Sequence, residues 1–106
     1  MKYEIVWSDF AEKQIDKIHK FYHNKPKSLN IANRIILGIL TAPDSLKHNP
    51  EMGLREPALI DRKLEYRYLV ESNYNLIYTI NKEKQQLRIT DVFDTRQSPT
   101  KIKRNK

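Results

Sequence analysis

The stretch from Tyr66 to Arg96 constrains this chain more than any other, because its pattern fits one local architecture. It reads Tyr66-Arg67-Tyr68-Leu69-Val70-Glu71, then Ser72-Asn73, then Tyr74-Asn75-Leu76-Ile77-Tyr78-Thr79-Ile80. A polar break at Asn81-Lys82-Glu83-Lys84 follows, and then Leu87-Arg88-Ile89-Thr90-Asp91-Val92-Phe93-Asp94-Thr95-Arg96. Runs rich in aromatic and β-branched residues, joined by short polar turns, describe an antiparallel meander. Arginine recurs at Arg67, Arg88 and Arg96, so a basic surface is built onto that sheet.

Upstream the hydrophobic period changes. Lys2-Tyr3-Glu4-Ile5-Val6-Trp7 reads as a short strand. Ser8-Asp9 then offers an N-cap, with Glu12 as the reciprocal capping-box partner of Asp9. Ala11, Ile15, Ile18 and Tyr22 recur at helical spacing, which predicts an amphipathic helix of roughly four turns ending before Asn24-Lys25-Pro26. Ser28 is placed to cap a second helix. Its Ile31, Ala32, Ile35, Ile36, Ile39 and Leu40 make an apolar face wider than a simple two-layer seam needs. The short link at Asn24–Lys27 makes the two an antiparallel hairpin. Pro43 either ends the second helix or starts a further turn carrying Leu46. His48-Asn49-Pro50-Glu51-Met52-Gly53 signals a loop, and residues 54–63 read as loop or irregular edge strand. Gln97-Ser98-Pro99 ends the sheet, leaving 99–106 as a mobile basic tail. The expected class is α+β, in the order β-α-α-β-β-β, with the helical hairpin packed on one face of a mainly antiparallel sheet.

The 106 residues form one domain, spanning 1–106, with material for a single core. No apolar run approaches the ~18 residues of a membrane span. The opening Met1-Lys2-Tyr3-Glu4 has no signal-peptide character, so a cytoplasmic protein is expected. There is no cysteine, hence no disulfide and no thiolate metal ligand. The net charge is +7, and +5 of it falls in residues 82–106. That asymmetry fits an anionic partner, nucleic acid or an acidic protein segment; it equally fits a solubilising surface.

Little here supports chemistry of its own. The only glycines are Gly38 and Gly53, so there is no nucleotide-binding loop. His19 and His23 stand at i, i+4, but no acidic residue completes a metal motif, and neither metal nor cofactor is expected. Ser72 and Ser98 read as turn residues, and nothing marks a nucleophile. Arginines are the better candidates, since a guanidinium grips phosphate or carboxylate with two bonds. Glu65, Glu71, Asp91 and Asp94 are close enough in sequence to neutralise Arg67, Arg88 and Arg96 instead. Tyr66, Tyr68, Tyr74 and Tyr78 read as packed sheet residues with a solvated hydroxyl.

Taken in order, these segments resemble the RelE/ParE superfamily of toxins from type II toxin–antitoxin systems. The resemblance rests on Val6-Trp7-Ser8 with Ala11, on Ala32 and the isoleucine-rich second helix, and on Pro50-Glu51-Met52-Gly53. It continues through Arg67-Tyr68-Leu69-Val70 and Tyr74-Asn75-Leu76-Ile77-Tyr78 to Val92-Phe93-Asp94-Thr95-Arg96-Gln97-Ser98-Pro99. RelE-like members cleave mRNA in the ribosome, using basic strand residues and a tyrosine or histidine near the C-terminus. ParE-like members share the fold, lack that set, and are associated with inhibition of DNA gyrase. Here Asn75 stands where RNA-cleaving members usually carry arginine, and no Tyr or His follows Asp94. Both departures favour the ParE-like branch. The resemblance then implies a growth-inhibiting toxin that binds its target through Arg67, Arg88 and Arg96 and is neutralised by a cognate antitoxin. The wide apolar face at Ile31, Ile35, Ile36, Ile39 and Leu40 is the expected antitoxin-binding surface, as a hetero-oligomer or homodimer. A ribosome-dependent mRNA endonuclease using the same arginines, and an inactive antitoxin-binding module, are the competing readings.

Overall fold

The computed structural model describes residues 2–23 and 29–104. Strand β1 (Glu4–Trp7) leads into helix α1 (Asp9–His23), followed by helix α2 (Leu29–Thr41). Ser8 is the N-cap of α1, rather than Asp9. Its Oγ accepts from the Ala11 N–H at 3.1 Å, and its carbonyl accepts from the Glu12 N–H at 3.0 Å. Asp9 is the first helical residue, where its carboxylate favours the positive end of the helix. The anticipated link at Asn24–Lys27 and the Ser28 cap lie outside the described residues.

Pro43 does not simply stop α2. It opens a 3-10 turn at Ala42–Leu46 that buries both Pro43 and Leu46. Another 3-10 turn at Pro50–Met52 leads to β2, only Leu54–Arg55 long, and a third spans Pro57–Leu59. The meander follows as β3 (Arg67–Glu71), β4 (Tyr74–Asn81) and β5 (Gln86–Asp94). Ser72 adopts φ 53°, the sign that a two-residue hairpin turn needs to match strand twist.

The sheet runs β1-β5-β4-β3-β2. All neighbours are antiparallel except β1, which lies parallel to β5 with Glu4 opposite Gln86 and Trp7 opposite Ile89. The helical hairpin on a mainly antiparallel sheet is the α+β arrangement expected from the pattern, with β2 added as an edge strand.

Alternation along β4 divides two apolar clusters. Tyr74, Leu76 and Tyr78 join Ala11, Ile39, Leu46, Leu87, Ile89 and Val92 in the main core, against which Ile15, Ile18 and Ile35 pack. Ile77 joins Leu59, Phe93 and Ile102 in a smaller second cluster. On β5 the step from Ile89 to Val92 breaks the period of two. A register shift accounts for it: Ile77 pairs with Asp91 but Tyr78 with Ile89, which leaves Thr90 as the extra residue of a bulge.

Ile102 belongs to the stretch expected as a mobile tail. Its described part, Pro99–Arg104, is instead a docked 3-10 helix. Arg104 donates to both carboxylate oxygens of buried Asp91, at 3.0 and 3.1 Å, and lies over the rings of Phe10 and Phe93. One apolar residue and one buried acid outweigh the mobility that the basic composition implies.

Candidate functional site

The three arginines do not form one cluster. Arg67 pairs with Tyr78 and Arg88 with Thr79, adjacent β4 positions toward one end of that strand. Arg96 follows Asp94, which pairs with Tyr74 at the far end of β4, a span of four residues or roughly 13 Å.

Arg67 is committed to the fold. Its Nε meets Glu65 at 2.7 Å, and its Nη1 donates to the carbonyls of Gly53 (2.7 Å) and Glu51 (3.2 Å). Its side chain is 18% exposed. Exposed Arg88 shares with Arg67, Lys82 and Lys84 a shallow groove of about 690 Å³, in which Glu51 and Glu65 offset part of the charge. Lys82 binds Glu51 at 3.1 Å and holds that carboxyl below its usual range.

Arg96 grips Asp94 with a two-bond fork, both contacts at 2.9 Å, while its backbone N–H donates to the same carboxylate. The fork lowers the pKa of Asp94 and, with Tyr22, raises that of Arg96. Half of the Arg96 side chain still faces solvent. Nearby Tyr74 has its hydroxyl pushed well above the ordinary value, first by burial and then by its hydrogen bond with Tyr22.

Tyr78 departs from the expected solvated hydroxyl. It is fully buried, accepts from the Gly53 N–H at 2.9 Å and donates to the Pro50 carbonyl at 2.8 Å. Burial raises its pKa, against the bond from Gly53.

On α2, the anticipated antitoxin face divides by depth. Ile39 is fully buried and belongs to the core, so it offers no surface to a partner; Ile35 and Ile36 are partly buried. Ile31 and Leu40 are exposed, as is Leu37 at 62%, which the spacing argument missed. Leu37 falls three residues before Leu40, so the two share a face turned away from the core. Periodicity centred on the buried stripe conceals a second apolar stripe beside it.

A family model describing the ParE toxin of type II toxin–antitoxin systems, parDE, matches residues 5–99. The chain belongs to the ParE toxin family. Solved structures similar to this ParE-family chain include one titled as the chromosomal ParDE toxin–antitoxin system of P. aeruginosa. It has a TM-score of 0.69 and 14% identity, covering 88% of this chain and 96% of that one. Another is from the toxin–antitoxin complex RelBE2 of Mycobacterium tuberculosis, with a TM-score of 0.62 and 20% identity, covering 89% and 99%. At such identities these two show a shared fold. Comparison with curated proteins gives no match. Among the described residues of the ParE-family chain no helix is long and apolar enough to cross a membrane, and no group of three or more His, Asp or Glu is placed to hold a metal.

Proposed function

We propose that this chain is a toxin that halts growth by binding its target, with DNA gyrase the target that family resemblance implies, and that a cognate antitoxin neutralises it. The observation that carries the binding mechanism is the state of two sheet tyrosines, Tyr74 and Tyr78. Cleavage of RNA by its own 2′-hydroxyl needs groups that exchange protons near neutrality, each contributing typically 10²–10⁴-fold. Arginine stays protonated and stabilises charge only. Tyr78 spends its hydroxyl on Gly53 and Pro50, and burial moves both Tyr78 and Tyr74 away from neutrality. His19 lies on α1 and His48 in the loop after the first 3-10 turn, so neither is carried on the strands that bear Arg67 and Arg88.

Arg96 at one end of the sheet and Arg88 at the other are the exposed target-binding candidates, with Arg67 supporting the loop beside Arg88. The antitoxin is read as covering the exposed pair Leu37 and Leu40 on one flank of the buried stripe, with exposed Ile31 on the other flank. The nuclease reading draws support from the groove that gathers Arg67, Lys82, Lys84 and Arg88. Inducing the protein in growing cells separates the two. DNA damage with filamentation ahead of any fall in protein synthesis supports gyrase; an immediate translation block with intact DNA supports the nuclease. Unimpaired growth leaves only the inactive module.

A further inference from the structure

A second recess opens where β5 outruns β1. Strand β1 pairs only with Gln86–Ile89, so the rest of β5 has no strand on that side, and α1 lies against it instead. The recess, about 190 Å³, is lined from α1 by Lys17, Ile18 and Phe21, from the sheet by Tyr74 and Val92, and at its rim by Arg96. Arg104 and Asp94 also face it. Lys17, Ile18 and Phe21 stand at i, i+1 and i+4, with Gln14 one turn earlier, so α1 presents one continuous wall.

Two properties of this recess suit a ligand. Two of its three cations are held in place: Asp94 holds Arg96 and Asp91 holds Arg104, each through a two-bond fork, while Lys17 is exposed. A guanidinium has five N–H donors, more than one such fork uses, and a side chain already held loses less freedom when a ligand arrives. Three cations line the recess against the single carboxylate of Asp94. The wall beside them is apolar: Ile18, Phe21 and Val92 line it, and Phe21 is 51% exposed. A bare anion uses the cations and leaves that wall idle; a carboxylate carried next to an apolar side chain uses both.

We propose that this recess seats an acidic–apolar segment of a partner protein, a Glu or Asp carboxylate resting on Lys17 and Arg96 while a neighbouring aliphatic or aromatic side chain covers Phe21 and Ile18. The proposal rests on the reading that this chain works by binding another protein, and it names the chemistry of the bound segment. Charge complementarity with a chain of net charge +7 supports an acidic occupant.

The test is an NMR titration of the full-length, 15N-labelled chain with a capped Asp-Leu-Glu-Phe-Glu peptide, beside an isosteric Asn/Gln version and inorganic phosphate. Saturable shifts at Phe21, Tyr74, Val92 and Arg96 are expected with the acidic peptide alone. Lys17→Glu should weaken binding at least about tenfold, whereas Lys13→Glu, the same change on the same helix outside the recess, should alter it less than twofold. Both positions are exposed, and retained spectral dispersion checks folding. No saturation at millimolar peptide overturns the proposal. An equal response to the amide peptide, equal occupancy by phosphate, or shifts confined to Lys82 and Arg88 overturn it as well. Growth inhibition is scored separately. A toxic chain that ignores the peptide removes this seat and leaves the functional reading; a non-toxic chain that binds it does the reverse.

Discussion

At the level of single residues, the decisive contacts are those that fix which side chains remain available. Gly53 and Tyr78 form one unit, and a Cβ at Gly53 would overlap the Tyr78 hydroxyl. The φ of Gly53 is −70°, so close approach rather than backbone freedom selects glycine here. Gly53→Ala should cost about 1–3 kcal/mol through overpacking. Tyr78→Phe should cost about 1–3 kcal/mol by stranding the Gly53 N–H and Pro50 carbonyl. Denaturant unfolding of both variants checks this, and loss of toxicity without loss of stability in Tyr78→Phe would instead mark the hydroxyl as functional. Arg96→Glu reverses charge on a half-exposed side chain beyond the last strand. It should abolish growth inhibition while thermal unfolding and antitoxin binding stay near wild type, as plate assays and pull-downs would report. Pairing of Arg67 with Glu65 and of Arg96 with Asp94 was legible because each partner lies two residues away. The Tyr78 bonds were not, since Gly53 and Pro50 are 25 and 28 residues distant and carry no local mark.

At the level of elements, the C-terminal 3-10 helix and α2 show what periodicity can and cannot report. The basic composition of 99–106 masks what docks its described part: Ile102 in the second apolar cluster, and a buried acid on β5 meeting an arginine 13 residues later. Removing that arginine tests the dock. Arg104→Ala leaves Asp91 buried without its partner, at a cost of about 3 kcal/mol, the low end for such a change because Arg104 is itself a third exposed. The pH dependence has a definite sign. Burial already raises the Asp91 pKa above its ordinary value, against the pull of Arg104. A raised carboxyl favours the fold while protonated, and that contribution is lost as pH rises through the folded-state pKa. The Arg104→Ala defect should therefore be larger at pH 7 than near pH 4, a comparison that urea unfolding at the two pH values can make. On α2, Leu37→Glu and Leu40→Glu should leave the melting temperature within a few degrees of wild type and weaken antitoxin binding at least about tenfold, because both positions are exposed. Ile39→Ala, by contrast, should cost about 2–5 kcal/mol from the core. The helical period identified the helix and its buried stripe; depth within the wide apolar face is a tertiary property that no spacing encodes.

Across the whole molecule, element order and class were legible because hydrophobic period switches cleanly between strand and helix. Sheet order was not. Pairing Glu4 with Gln86 closes a loop of 82 residues, and it is this parallel β1–β5 contact that brings α1 alongside the end of β5. The separation of the three arginines is likewise a consequence of register: Arg67 and Arg88 meet β4 at one end and Arg96 leaves from the other. The chain thus carries two basic surfaces on one sheet, and burial has withdrawn Tyr74 and Tyr78 from solvent while Tyr66 and Tyr68 stay partly exposed. On the function proposed above, a protein so arranged holds a partner and leaves its bonds intact. Supercoiling of relaxed plasmid by purified DNA gyrase, measured with increasing amounts of this protein, addresses that claim most directly. Dose-dependent inhibition that Arg96→Glu abolishes is expected. Unimpaired supercoiling at saturating protein, with codon-position cuts in the mRNA of a parallel translation reaction, would contradict it.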